Sequence, residues 1–103
     1  MKNINNLMKQ AQKLQSKMMA IQDELGERTV TAQAGGGMVE VTANGRQELV
    51  LIRIDPEVIN PDDVEMLQDL VLAAVNDVLQ RSKEMVSEEM SKLTGGFKIP
   101  GLM

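Results

Sequence analysis

The stretch from Glu27 to Ile54 has the sequence ERTVTAQAGGGMVEVTANGRQELVLIRI, and its pattern decides the fold. Apolar and polar residues alternate in three short runs, with the period of two that β-strands produce. The alternating apolar residues are Val30, Ala32 and Ala34, then Val39, Val41 and Ala43, then Val50, Ile52 and Ile54. Gly35–Gly37 separates the first two runs, and Asn44–Gly45 follows the second as a type I′ hairpin turn would. The stretch therefore predicts a three-stranded antiparallel meander.

The third of these strands is apolar on both faces, because Leu49 and Leu51 alternate with Val50 and Ile52. A strand with this composition is usually buried on both sides. We therefore expect it to be the central strand of the sheet, or to be covered on its second face by a partner chain.

A long amphipathic helix is predicted before the sheet, from Ile4 to Leu25. Its apolar residues are spaced alternately three and four apart, which places them on one narrow helical stripe. We call this stripe the apolar seam, and it comprises Ile4, Leu7, Ala11, Leu14, Met18, Ile21 and Leu25. A seam this narrow is typical of helices that pack along another long helix. Gly26 is expected to end the helix by adopting a left-handed conformation.

A second long helix is predicted after the sheet. Asn60 is the expected N-cap and Pro61 the first helical residue, and no Gly or Pro interrupts the chain from there to Leu93. The two helices and the meander together predict an α+β fold. We expect a single domain over residues 1–93 and a flexible C-terminal tail over residues 94–103.

The composition argues against several classes of function. Among 103 residues there is no Cys, His, Trp or Tyr and one Phe, which excludes disulfides, thiolate metal sites and histidine bases. Acidic pairs such as Glu88–Glu89 are explained by a solvated helix surface, so no metal or other cofactor is expected. The sequence has no signal-peptide pattern and no apolar run of about 18 residues, so we expect a cytoplasmic protein without a membrane span. We expect neither an enzyme nor a small-molecule substrate.

Charge is distributed unequally along the chain. The formal net charge is −4, yet residues 1–22 contain four lysines and no acid. Lys9, Lys13 and Lys17 follow one another at intervals of four, and Lys2 lies two turns before Lys9, so the four form one row on the predicted helix. We call this row the lysine stripe. Like charges at this spacing repel one another, which favours an external anion as a partner; the alternative is an ordinary solvated lysine face.

The second helix differs because it mixes its charges, with Asp77 placed to pair with Arg81 and Glu88 placed to pair with Lys92. The acidic net charge does not exclude a nucleic acid as the partner of the lysine stripe. At physiological salt, charges are screened over about 8 Å, so distant acids do not cancel the stripe. Because the stripe has no arginine and the chain almost no aromatic residue, contacts should go to phosphates, with little sequence specificity.

Five segments in their order and spacing resemble the YbaB/EbfC family over essentially the whole chain. They are Asn6–Gln15 (NLMKQAQKLQ), Ala34–Val39 (AGGGMV), Val41–Gly45 (VTANG), Ile54–Pro56 (IDP) and Gly95–Gly101 (GGFKIPG). The resemblance implies a nucleoid-associated homodimer shaped like tweezers, which binds duplex DNA in an architectural or gene-regulatory role. It places the DNA contacts on helical arms, first at the lysine stripe. Further contacts are expected in the distal second helix and the tail, at Arg81, Lys83, Lys92 and Lys98.

A non-catalytic protein–protein adaptor is the alternative function. In that case the amphipathic helices and the apolar tail Phe97–Met103 would dock onto another protein, and the lysines would only keep the chain soluble. Reversing the charge of Lys9 and Lys13 distinguishes the two hypotheses. It should abolish binding if DNA is the partner, and leave partner capture intact if the chain is an adaptor.

Overall fold

A computed structural model describes residues 2–94. Its elements in chain order are α1 (Lys2–Glu27), β1 (Thr29–Ala34), β2 (Val39–Asn44), β3 (Leu49–Ile54), a short 3-10 helix (Pro56–Val58) and α2 (Val64–Thr94). This order of helix, antiparallel three-stranded sheet and helix confirms the α+β fold predicted from the sequence. The first residue of the tail predicted over residues 94–103 is the last residue of α2, and residues 95–103 lie outside the described residues. The tail and the domain boundary at residue 93 stay predictions.

The core lies between one face of the sheet and α2. β2 is the central strand and pairs antiparallel with β1 on one side and β3 on the other. Because alternate residues of a strand point to the same face, the alternating apolar residues collect on one side of the sheet, where α2 packs across β1 and β2. The buried residues of this core are Ala32, Val39, Val41, Ala43, Ala74 and Val78.

Ser82 joins α2 to the end of the sheet. Its side chain is fully buried, and its Oγ donates a hydrogen bond of 2.7 Å to the backbone oxygen of Asn44, the last residue of β2. A buried hydroxyl needs such a partner, because burying an unpaired polar group costs free energy. Ser82 therefore fixes where α2 crosses the end of the sheet.

Replacing Ser82 with Ala should lower the free energy of unfolding by about 1 kcal/mol, because the hydrogen bond to Asn44 is lost. Ser87→Ala is the matched control, since Ser87 is exposed on the same helix. Urea denaturation of both variants measures the difference. An equal effect of the two substitutions would contradict the role given to the Ser82 hydrogen bond.

The prediction that the third strand is central is wrong, because β3 is an edge strand. All six of its residues are exposed, with Val50 at 53% and Ile52 at 45% of full exposure. The reason is that α2 packs on the other two strands and leaves the apolar face of β3 uncovered. The other expectation, that a partner chain covers this strand, stays a prediction.

The hairpin between β2 and β3 also differs from the prediction, because neither Asn44 nor Gly45 has a positive φ angle. Instead Gln47 takes the left-handed conformation, with φ of 63°, in the four-residue connection between β2 and β3. The Asn44 side chain stabilises this connection, since its Oδ1 accepts hydrogen bonds from the backbone N–H groups of Arg46 and Glu48. Hydrogen bonds to the Asn44 side chain thus stabilise this connection in place of a type I′ turn.

The end of α1 and the start of α2 differ from the prediction. α1 continues through Gly26 to Glu27, and Gly26 does not adopt a left-handed conformation. α2 begins at Val64, and the residue that caps it is Asp63, whose Oδ1 accepts a hydrogen bond of 3.2 Å from Met66 N. Asn60 forms a separate turn, in which its backbone oxygen accepts a hydrogen bond from Asp63 N. Several cap-forming residues lie within this short stretch, so pattern alone selected the wrong one.

Candidate nucleic-acid interface

α1 leaves the body of the protein as an arm. Of its residues, Leu25 and Gly26 at the C-terminal end are buried and Ile21 is half-buried, whereas residues 3–20 are exposed. The helix contacts the sheet at β2. Its sequence explains why it is helical, because Gln, Lys, Leu, Met and Ala have high helix propensity and no Gly or Pro occurs before Gly26. The arm thus presents most of its surface to solvent.

The lysine stripe lies on this arm as predicted. Lys9, Lys13 and Lys17 are exposed and follow one another at single-turn intervals along one side of α1. Lys2 is the first residue of the helix. Within residues 2–94, none of the three exposed stripe lysines makes an ion pair with an acid. Three positive charges therefore stand together without a counter-charge in the described part of the chain.

The nearest acids along α1 are Asp23 and Glu24, at its attached end. Lys9 and Lys13 precede Asp23 by 14 and 10 residues, which corresponds to roughly 21 and 15 Å along the helix axis. These separations exceed the screening length of about 8 Å at physiological salt. The outer part of the arm is therefore positive in a chain whose net charge is negative.

The basic residues predicted on α2 have different surroundings. Arg81 Nε lies 3.3 Å from Asp77 Oδ1, which confirms the predicted pair, whereas Lys92 Nζ lies 3.3 Å from the Oε1 of Glu89 and not of Glu88. Lys83 is exposed and, among the residues that the structure describes, has no ion-pair partner. Arg81 and Lys92 are thus already partly neutralised. Lys98 lies outside the described residues.

Two ion pairs at the base of the arm were not predicted. Arg28 Nη1 lies 3.3 Å from Glu89 Oε1, and Arg46 Nη1 lies 3.4 Å from Glu27 Oε1. The Lys92 and Arg28 hydrogen bonds to the Glu89 carboxylate lower its pKa below the usual value, because they favour its charged form. Arg28 and Glu89 are 61 positions apart in sequence, so no local spacing could have indicated this pair.

The apolar seam of α1 is also exposed over most of its length. The sequence predicted that the seam packs along another long helix, and within the single chain no helix covers it over residues 3–20. Leu7 has 62% of its full exposure, although it lies in the middle of the seam. The large seam side chains that are exposed are Ile4, Leu7, Leu14 and Met18. On a helical wheel the lysine stripe is centred about 125° from the seam. The arm therefore has two separate surfaces, one apolar and one basic.

Neither a metal site nor a membrane span is found in the part of the chain that the structure describes. No group of three or more Asp and Glu residues there could hold a metal ion. No helix within residues 2–94 combines the length and the apolar character needed to cross a bilayer. The basic arm is the distinctive chemical feature of this region.

Comparison with known proteins identifies the family of this chain. The sequence model of the YbaB/EbfC DNA-binding family matches residues 1–97. The chain belongs to this family. The match confirms the family predicted from the sequence, and it includes the whole of the lysine stripe. The description of the YbaB/EbfC family names DNA binding and no catalytic activity.

Relatives of this YbaB/EbfC chain are found in bacteria. A nucleoid-associated protein of Moorella thermoacetica is 62% identical over 101 residues, which cover 98% of this chain and 97% of the relative. A nucleoid-associated protein of Pelotomaculum thermopropionicum is 57% identical over 97% of this chain and 95% of its own length.

A solved structure also resembles this YbaB/EbfC chain. The crystal structure of the uncharacterized protein HP0035 from Helicobacter pylori superimposes with a TM-score of 0.65 at 25% identity. It covers 81% of this chain and 96% of the other. The similarity supports the α+β architecture with two long helices around a small sheet.

Proposed function

We propose that the chain binds duplex DNA with little sequence specificity, through contacts between lysine side chains and phosphates. The observation that carries the proposal is the set of unpaired, exposed lysines Lys9, Lys13 and Lys17 on a projecting helix. Membership of a DNA-binding family supports the choice of DNA as the anion. Lys2 extends the same row by sequence spacing and is included in the proposed interface.

The chemistry of the stripe favours the DNA backbone over the bases. Adjacent stripe lysines are spaced about 6 Å apart along the helix axis, so one strand's successive phosphates are within reach of flexible lysine side chains. The stripe contains no arginine for bidentate guanine contacts and no aromatic ring for base stacking. We therefore infer an architectural or gene-regulatory role that depends on phosphate contacts.

The basic residues of α2 and the tail are proposed as secondary contacts. Arg81 and Lys92 each have an acid within 3.3 Å, so a phosphate must compete with an existing partner. Lys83 is exposed and Lys98 follows α2 in sequence. We expect each of these four residues to contribute less to DNA affinity than a stripe lysine does.

We propose that the functional unit is a homodimer that uses β3. This strand combines an unpaired edge with an exposed apolar face, and an edge of this kind favours pairing with another chain. A symmetric second copy is the commonest way for a small protein to cover such a surface. Two copies would present two basic arms, which is the tweezer-like arrangement that the family resemblance implies.

The name of the relatives supports a location at the bacterial nucleoid, and we propose the same location for this chain. We assign it no catalytic activity and no cofactor, because the family is described by DNA binding. Its partners in this proposal are duplex DNA and a second copy of itself.

Weak sequence specificity is tested by comparing AT-rich, GC-rich and random duplexes of equal length in fluorescence-anisotropy titrations. We expect dissociation constants within about tenfold of one another, because phosphate contacts carry no sequence information. A sequence-specific protein prefers its target by roughly 1,000-fold or more. A preference of that size for one duplex would contradict a phosphate-led mechanism.

The exposed apolar seam supports the adaptor hypothesis as a second candidate function. Its large side chains remain exposed in the single chain, and a helix of another protein could cover them. A Lys9→Glu/Lys13→Glu chain used as bait separates the two functions. Loss of DNA binding supports the first proposal, whereas retained capture of a specific protein together with no DNA binding by the unmodified chain supports the second.

A further inference from the structure

The attachment of α1 to the body is a compact joint between three elements. We use the term arm joint for Glu27, Arg28, Gly45, Arg46 and Glu89. On one side Arg28, the residue that follows α1, forms the 3.3 Å ion pair with Glu89 of α2. On the other side Glu27, the last residue of α1, forms the 3.4 Å ion pair with Arg46 of the β2–β3 hairpin. Ion pairs thus connect the C-terminal end of the arm to α2 and to the β2–β3 hairpin.

Close backbone contact restricts the arm joint further. A Cβ atom added at Gly45 would overlap the carbonyl oxygen of Leu25 and lie 2.7 Å from its carbonyl carbon, so the hairpin backbone touches the last turn of α1. A Cβ added at Gly26 would lie 2.7 Å from Cζ of Arg46. Leu25 itself is buried. The hairpin and the helix therefore fit together only because position 45 has no side chain.

The length of the arm amplifies any change at this joint. Lys9 lies 18 residues before the end of α1, a distance of about 27 Å, so a rotation of about 10° at the joint moves it by roughly 5 Å. Lysine side chains are flexible, but a displacement of this size is close to the spacing of about 6 Å between adjacent stripe lysines. Small changes at the joint therefore alter which phosphates the stripe lysines can reach.

We propose that the arm joint sets the direction of α1, and that Gly45 and the Arg28–Glu89 pair are positioning residues for DNA binding. This inference rests on the proposed DNA-binding function. None of these residues belongs to the lysine stripe, and Gly45 and Glu89 carry no positive charge that could contact a phosphate, so their effect on DNA binding comes through the position of the arm. Exposed ion pairs contribute little to folding stability. Loss of Arg28 or Glu89 should therefore widen the range of arm directions and leave the fold intact.

Distances between two spin labels, measured by double electron–electron resonance, test the position of the arm directly. The chain has no cysteine, so labels at Gln12→Cys on α1 and Ser87→Cys on α2 are the only thiol labels. Both positions are exposed. Mixing labelled chains with an excess of unlabelled chains restricts the signal to distances within one chain. The variants are Arg28→Gln, Glu89→Gln, their combination and Gly45→Ala.

Lys92→Gln is the matched control. Lys92 shares the Glu89 carboxylate with Arg28, but both Lys92 and Glu89 belong to α2, so their pair does not join two elements. We expect Arg28→Gln and Glu89→Gln to broaden the distance distribution to the same extent, with no further effect in the double variant. Gly45→Ala should shift the mean distance by roughly 4 Å. Lys92→Gln should leave the distribution unchanged.

DNA titrations of Arg28→Gln and Glu89→Gln complete the test, and Lys92→Gln is left out of them because Lys92 is itself a proposed DNA contact. Glu89→Gln is the deciding variant, because it breaks the pair while removing a negative charge. It should weaken DNA binding by about three- to tenfold although every stripe lysine is present, because fewer lysines reach phosphates at once. Unchanged distances in Arg28→Gln and Glu89→Gln would overturn the proposal, as would altered distances with unchanged DNA affinity. If Gly45→Ala fails to fold, Arg28→Gln and Glu89→Gln still test whether the arm joint sets the direction of α1. Absence of DNA binding by the unmodified chain would overturn the proposed function instead, since the label distances are measured without DNA.

Discussion

A Lys9→Glu/Lys13→Glu chain is expected to bind duplex DNA at least about 100-fold more weakly than the unmodified chain at physiological salt, because each substitution replaces a phosphate partner with a repelling charge. Both side chains are exposed on a helix that lies away from the core. The fold should therefore be retained, which circular dichroism checks. Fluorescence anisotropy with a labelled random-sequence duplex measures the change in affinity.

The control for this prediction separates position from net charge. Lys13→Gln and Gln15→Glu each lower the charge of α1 by one, at positions two residues apart. Only Lys13 lies in the lysine stripe. Gln15 lies on another side of the helix and is not three or four residues from any stripe lysine, so a glutamate there does not pair with one. We expect Lys13→Gln to bind DNA more weakly than Gln15→Glu. Equal losses would show that overall charge, and not the stripe, determines affinity.

Ile52→Lys is expected to dissociate the proposed homodimer, with a rise in the dimer dissociation constant of roughly 100-fold or more, because an unpaired buried charge is strongly unfavourable. Ile52 lies on the apolar face of β3 that α2 leaves uncovered, and its side chain is exposed in the single chain. The substitution should therefore be tolerated in the monomer. Light scattering after size-exclusion chromatography measures the mass.

Thr29→Lys is the matched control, since Thr29 is exposed on β1, the opposite edge strand of the same sheet. We expect this variant to remain dimeric and Ile52→Lys to elute as a monomer of 11.3 kDa. A dimer that persists in Ile52→Lys would place the interface elsewhere. Monomeric behaviour of the unmodified chain would contradict the dimer proposal altogether.

Within residues 2–94, the sequence was sufficient to predict the two long helices and the three strands, because periods of two and of three to four residues are local properties of the chain. The short 3-10 helix Pro56–Val58 was not predicted. It was less informative where two explanations share one pattern. The apolar run Leu49–Ile54 suits a central strand and equally an edge strand awaiting a partner, and only the position of α2 over β1 and β2 distinguishes them. Likewise, Asn44 stabilises its turn through hydrogen bonds to its side chain. The Asn–Gly dipeptide is compatible with this turn and with a type I′ turn, so the sequence could not distinguish the two.

The candidate site could be predicted only in part, for the same physical reason. The row of Lys9, Lys13 and Lys17 follows from helical spacing, so the sequence and the structure agree on it. The arm joint depends on contacts between residues far apart in sequence, such as Arg28 with Glu89 and Gly45 with Leu25. Such contacts leave no periodic signal. The sequence therefore identified the lysine stripe but not the arm joint that we propose sets the direction of α1.

The salt dependence of DNA affinity tests the central claim most directly. A labelled random-sequence duplex is titrated with the unmodified chain at several salt concentrations, and the logarithm of affinity is plotted against that of salt. If all eight stripe lysines of a dimer contacted phosphates, the slope would be about −7, and we expect about −3 to −5 for a subset. A slope in that range supports phosphate-led binding by the lysine stripe. An affinity that does not change with salt, or no binding at low salt by the folded protein, would contradict it.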